Sequence, residues 1–117
     1  MERLWLAAIN SWKGFAFAAR TERAFQEEIV VLLLAVPAAF WLAESAVQRF
    51  VLVGSVLFLM VVELLNTAIE KLADRLTREQ DVEIGRVKDM GSTAVGISIL
   101  IVAAVWLWAF IGWLMPS

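Results

Sequence analysis

The stretch VELLNTAIEKLADR (residues 62–75) decides how this chain is read. It continues an apolar run, FVLVGSVLFLMVV (residues 50–62), that suits a membrane interior. At about 100° per residue, Glu63, Asn66, Glu70 and Asp74 fall on one narrow stripe of a helix. A charge at mid-membrane costs roughly 2.5–3.5 kcal/mol on insertion scales. Glu63 stands about 13 residues, or ~20 Å, along the helix from Phe50. That depth lies inside a ~30 Å hydrocarbon core, nearer the charged end of the helix. Such a residue must face protein or water, and it marks a site of function. The competing reading is a polar seam between packed helices.

Composition supports the membrane setting. Hydrophobic residues make up 62% of the 117, against roughly 45–50% apolar in soluble domains. The length suits one domain. There is no Tyr, His or Cys, which excludes histidine triads, thiol chemistry and the usual zinc sites. The net charge of −2 gives no global basic field, so no nucleic-acid partner is expected. The opening Met1-Glu2-Arg3, with Asn10, Ser11 and Lys13 beyond it, lacks the apolar core and cleavage site of a signal peptide.

Outward from residues 62–75, the pattern predicts an all-α membrane protein with a surface helix and three spans. Trp5, Ala8, Ile9, Trp12, Phe15, Ala16 and Ala19 recur at helical spacing among polar positions. This predicts an amphipathic helix over about 2–20, lying in the membrane interface. The run IVVLLLAVPAAFWLA (residues 29–43) is slightly short of a full crossing, so its helix should begin near Thr21 or Glu22. Pro37 is tolerated there if neighbours satisfy the freed carbonyl. The spans are expected over about 26–44, 48–70 and 91–114, with Trp106, Trp108 and Trp113 forming an aromatic belt.

Orientation follows from Lys and Arg. Arg3, Lys13, Arg20 and Arg23 precede the first span, and Lys71, Arg75, Arg78, Arg86 and Lys88 separate the second from the third. Only Arg49 lies between the first and second, and none follows the third. The positive-inside rule places the N-terminus and the second loop in the cytoplasm and the C-terminus outside.

The stripe offers defined chemistry. Glu63 could act as a general base near the interface. Glu70, nearer water, could bind a divalent cation, and magnesium takes oxygen ligands alongside phosphate. Asn66, between them, could donate to an oxyanion or join the Glu63 network. A second constellation is GRVKDMGSTAVG (residues 85–96). Lys88 can grip phosphate, Asp89 can bind metal or pair with the lysine, and Gly91 and Ser92 permit close helix approach. Glu22 and Glu28, at the foot of the first span, read on their own as solvated acids at a helix N-terminus. No GxxxxGK[ST] stretch and no HRD or DFG motif occurs, which excludes a P-loop and a protein-kinase fold.

ELLNTAIEKLADR followed by KDMGSTAV resembles the small integral-membrane diacylglycerol kinases of bacteria. SWKGF (residues 11–15) and ERAFQEE (residues 22–28) match the same family, so the resemblance covers essentially the whole chain. It implies an ATP-dependent lipid kinase of the inner membrane that converts diacylglycerol to phosphatidic acid with Mg2+. It further implies a homotrimer with active sites shared between neighbouring chains. Three spans alone could not enclose so polar a stripe, so the residues themselves also ask for an oligomer. Carried onto matching positions, Glu63 would be the base for the lipid hydroxyl, with Asn66 supporting it. Glu22 and Glu70 would hold the metal. Arg3, Glu79, Gln80, Asp81, Lys88 and Asp89 would contact the nucleotide, and Ser11, Glu28 and Ser92 would orient the lipid. Asn10 departs from an aromatic residue seen in the family.

A sister branch phosphorylates undecaprenol and is similar in fold, with a more alanine-rich segment after Lys-Asp and often a His after the first-helix motif. Met90-Gly91-Ser92 and the absence of His favour diacylglycerol. A non-enzymatic scaffold, with the stripe as a trimer seam, is the third reading.

Overall fold

A computed structural model describes residues 1–77 and 79–115. Arg78, counted above among the loop cations, and the C-terminal Pro116 and Ser117 lie outside the described residues. The described chain is all helix: α1 (Glu2–Thr21), α2 (Arg23–Leu42), α3 (Ala46–Leu76) and α4 (Val82–Leu114). α2, α3 and α4 are each long and apolar enough to cross a membrane.

Length decides where chemistry can sit. At ~1.5 Å per residue, the 20 residues of α2 span ~30 Å, one hydrocarbon core. The 31 residues of α3 span ~46 Å and the 33 of α4 ~50 Å. The surplus on both is the polar end, because α3 closes at Leu76 and α4 opens at Val82, only a few positions on. Residues 62–75 therefore continue the spanning helix as a rigid post rather than entering a loop.

The ends have local causes. Ser45 caps α3, its Oγ accepting from Gln48 N–H at 3.1 Å. Asp81 caps α4, its Oδ1 accepting from Ile84 N–H at 3.1 Å. Such caps are worth about 1 kcal/mol. The Asp81 cap starts α4 at Val82, nine residues ahead of the residue 91 at which the span is expected to begin. α2 runs unbroken past Pro37 and stops at Leu42, two residues short of the expected limit. Glu22 alone separates α1 from α2. Its extended backbone (φ −105°, ψ 111°) turns the chain, while its N–H still bonds Ala18 C=O at 2.8 Å.

Two apolar clusters hold the helices. Near the polar end, Ala18, Phe25 and Met60 join α1, α2 and α3, with Ala19, Ile29, Leu32 and Leu64 around them. Phe15 meets Phe25 edge-on, with ring centroids 5.5 Å apart. At the opposite end, Ala39, Leu52 and Ala109 join α2, α3 and α4. α4 buries only Gly91, Ser98 and Ala109, all small, which lets its backbone lie close to α3.

Trp106 differs from the belt expected of it. Its indole Nε1–H donates to Leu52 C=O and Ser55 Oγ, each at 3.2 Å, and Ser55 Oγ donates to Leu52 C=O at 2.8 Å. A buried indole needs an acceptor, and the small Ser55 leaves the Leu52 carbonyl reachable. Trp106 is thus a clamp between α3 and α4, whereas Trp108 and Trp113 stay exposed.

Candidate active site at the polar ends of α3 and α4

The centre of the site is Asn66, only 7% exposed. Its Nδ2–H donates to Glu70 Oε1 at 2.7 Å, one helical turn along α3. Its amide nitrogen is therefore directed at Glu70 rather than at Glu63. Asn66 Oδ1 is buried with no partner. Across the interface stands Gly91 of α4. A Cβ built there would overlap Asn66 Oδ1 and lie 3.2 Å from its Cγ. Gly91 thus sets the room in which the amide sits.

Gly91→Ala should swing the amide off Glu70 and destabilise the protein by about 1–3 kcal/mol. Thermal unfolding of the variant in detergent checks this. Adding Gly91→Ala to Asn66→Ala should cost much less than it does alone, because the clash has gone.

Glu63 lies one turn deeper and is half-buried. Its charge is close enough to those of Glu28 and Glu70 for repulsion to be felt. Glu28 brings this carboxylate from α2, and its Oε1 is buried without a partner. The α1–α2 bend contributes Glu22, whose Oε1 is 2.8 Å from Lys71 Nζ. Further out, Lys88 of α4 pairs with Asp74 of α3. Both line a pocket of about 460 Å³ together with Thr77, Glu79, Gln80, Asp81, Val82, Ile84 and Gly85.

The family model described as "Prokaryotic diacylglycerol kinase" matches residues 9–110. The chain belongs to the prokaryotic diacylglycerol kinase family. It is 45% identical to the diacylglycerol kinase of Escherichia coli over 113 residues, covering 94% of this chain and 93% of that protein. The Haemophilus influenzae diacylglycerol kinase is 38% identical over 102 residues (84% and 86% of the two chains). That of Pseudomonas aeruginosa is 32% identical over 112 residues (96% and 91%). Membership makes this chain an enzyme of the lipid-kinase type.

The sequence leads one to expect more residues at the site than one chain gathers here. Glu28, Glu63, Asn66 and Glu70 stand near one another on α2 and α3, and Glu22 meets α3 through Lys71. Glu79, Gln80, Asp81 and Lys88 share the outer pocket. Asp89 and Ser92 are exposed on α4. Arg3 and Ser11 are exposed on α1, about 19 and 11 residues from the bend at Glu22, or ~28 and ~16 Å along the helix. Within one chain neither joins the pocket.

Magnesium, which the family resemblance implies, can be tested against the donor set. Among the described residues no three acidic, His or Cys side chains form a metal-holding group. Magnesium, however, uses one or two carboxylates and completes its shell with water and substrate phosphate. Glu22 and Glu70 supply two hard oxygen donors, so the residues fit a metal that arrives with its nucleotide. Sequence reading missed the Lys71–Glu22 pair. Lys71 looked like one more cytoplasmic cation, and no spacing rule links it to a residue on another helix.

Proposed function

We propose that the chain transfers the γ-phosphoryl group of ATP to the free hydroxyl of diacylglycerol at the cytoplasmic face of a bacterial inner membrane, giving phosphatidic acid and ADP. The observation that supports this best is the order of groups along α3. Glu63, Asn66, Glu70 and Asp74 occupy successive turns of one unbroken helix, so ~16 Å separates the first from the last. A lipid hydroxyl approaches from the apolar side and a nucleotide from water, and the stripe joins the two depths.

In this reading Glu63 accepts the hydroxyl proton as the oxygen attacks the γ-phosphorus. The bond from that phosphorus to the bridging oxygen breaks, and ADP leaves. Asn66 holds the Glu70 carboxylate in place, and Glu22 and Glu70 would hold Mg2+. When bound, the metal supplies neutralisation of phosphate charge, the main requirement of phosphoryl transfer. Lys88 exchanges Asp74 for a phosphate oxygen, acting as a point charge. Glu79, Gln80 and Asp81 border the adenine, and Asp89 and Arg3 complete the nucleotide contacts. Ser11, Glu28 and Ser92 orient the lipid.

The protein works as a homotrimer with shared sites. The remoteness of Arg3 and Ser11 from their own chain's pocket supports this, since each can serve a neighbour. So does α4, whose wide apolar surface, including Ile97, Leu100 and Leu107, is left uncovered. The lysine and arginine distribution supports a cytoplasmic N-terminus and a C-terminus outside.

Side-by-side transfer of labelled phosphate from ATP to diacylglycerol and to undecaprenol tests the assignment. Diacylglycerol should be the preferred acceptor. The reverse preference would move the chain to the undecaprenol branch.

A further inference from the structure

Glu22 and Lys71 are unequal partners. The Glu22 side chain is 23% exposed and sits at the one non-helical residue between α1 and α2. The Lys71 side chain is 54% exposed and swings on a flexible stem from α3. The carboxylate is fixed and largely covered; the ammonium is free to leave. The ammonium has a second attractor beside it, because Lys71 Nζ, while paired with Glu22, is also 5.7 Å from the centroid of the Phe17 ring on α1. An aromatic face within about 6 Å attracts an ammonium.

We propose that Lys71 is the resident counter-ion of Glu22, a positioning residue that yields the carboxylate when a nucleotide-bound divalent cation arrives. This rests on the reading of Glu22 as a metal ligand. A largely covered carboxylate is costly without a cation at any stage. Lys71 supplies one between turnovers and keeps the bend from rearranging. On metal binding the ammonium gives up Glu22 and keeps the face of Phe17, so it stays tied to α1. The lysine is therefore a competitor that sets how much divalent cation the site needs. Because it is half-exposed, added salt weakens its competition.

The test is a binding titration without turnover. Mn2+ is added to the purified protein with a non-hydrolysable ATP analogue, and free Mn2+ is followed by electron paramagnetic resonance. Lys71→Met keeps the stem and removes the charge, so the half-saturating Mn2+ concentration should fall roughly two- to fivefold. Lys71→Arg keeps a cation with a firmer grip on carboxylate and should stay at or above the unmodified protein. An equal or higher requirement in Lys71→Met overturns the proposal, as does a fall of the same size in Lys71→Arg. Glu22→Gln separates the two levels. If it leaves Mn2+ binding unchanged, Glu22 is no metal ligand and both readings fall. If it weakens binding while Lys71→Met changes nothing, only the counter-ion role is lost.

Discussion

Glu63→Gln is expected to lower kcat by about 10²–10⁴, the usual contribution of a positioned general base. That corresponds to roughly 3–5 kcal/mol of lost transition-state stabilisation. The amide keeps the size of the carboxyl group and removes its capacity to take a proton. Glu63 donates to and accepts from nothing else that holds the described fold together, so unfolding should change little. The repulsion among Glu28, Glu63 and Glu70 is relieved at the same time, and the variant should unfold no more easily than its parent. The measurement is kcat with saturating diacylglycerol and ATP, beside a thermal melt. Turnover within a few-fold of normal would remove Glu63 as the base.

Glu70→Ala carries the second large effect, and it is two effects at once. On the proposed function the metal would lose a ligand, and Asn66 Nδ2 loses its acceptor at 2.7 Å. Since Asn66 Oδ1 is already unpartnered, the whole buried amide would be unsatisfied, at about 1–3 kcal/mol of stability. Glu70→Gln divides the two. It retains an oxygen for Asn66 but not the charge, so the fold should be largely spared. Both variants should raise the magnesium concentration for half-maximal rate by tenfold or more, or abolish turnover. Only the alanine should also lower the melting temperature. An unchanged magnesium titration in both would take Glu70 out of the metal site.

What the sequence disclosed depended on the length scale of the signal. Long apolar runs and a 3.6-residue period made α2, α3 and α4 legible, and α3 ends at Leu76, where the charge-rich turn begins. The stripe from Glu63 to Asp74 was legible because it lies on one helix, where spacing alone fixes direction. Contacts between helices were not. That Asn66 turns to Glu70 depends on the room left by Gly91, 25 positions away. That Trp106 bonds Leu52 C=O depends on a small Ser55 beside it. That α4 begins at Val82, before its apolar part, was not legible either, because the backbone role of Asp81 as a cap was hidden among other acids in a charged stretch.

The small residues on the inner face of α4 bear on how the chain finds its fold. Gly91, Ser98 and Ala109 are spaced unequally, by 7 and then 11 positions. A helix inserted last into a bilayer can in principle slide along its neighbour before settling. Here a slip of one turn either way would bring Val87 or Val95 against Asn66 in place of glycine. It would also carry Trp106 about 5.4 Å from the Leu52 carbonyl. The spacing acts as the teeth of a key, and one alignment seats all three. The polar cluster proposed to serve chemistry is thus also the place where the alignment of the last helix is proofread.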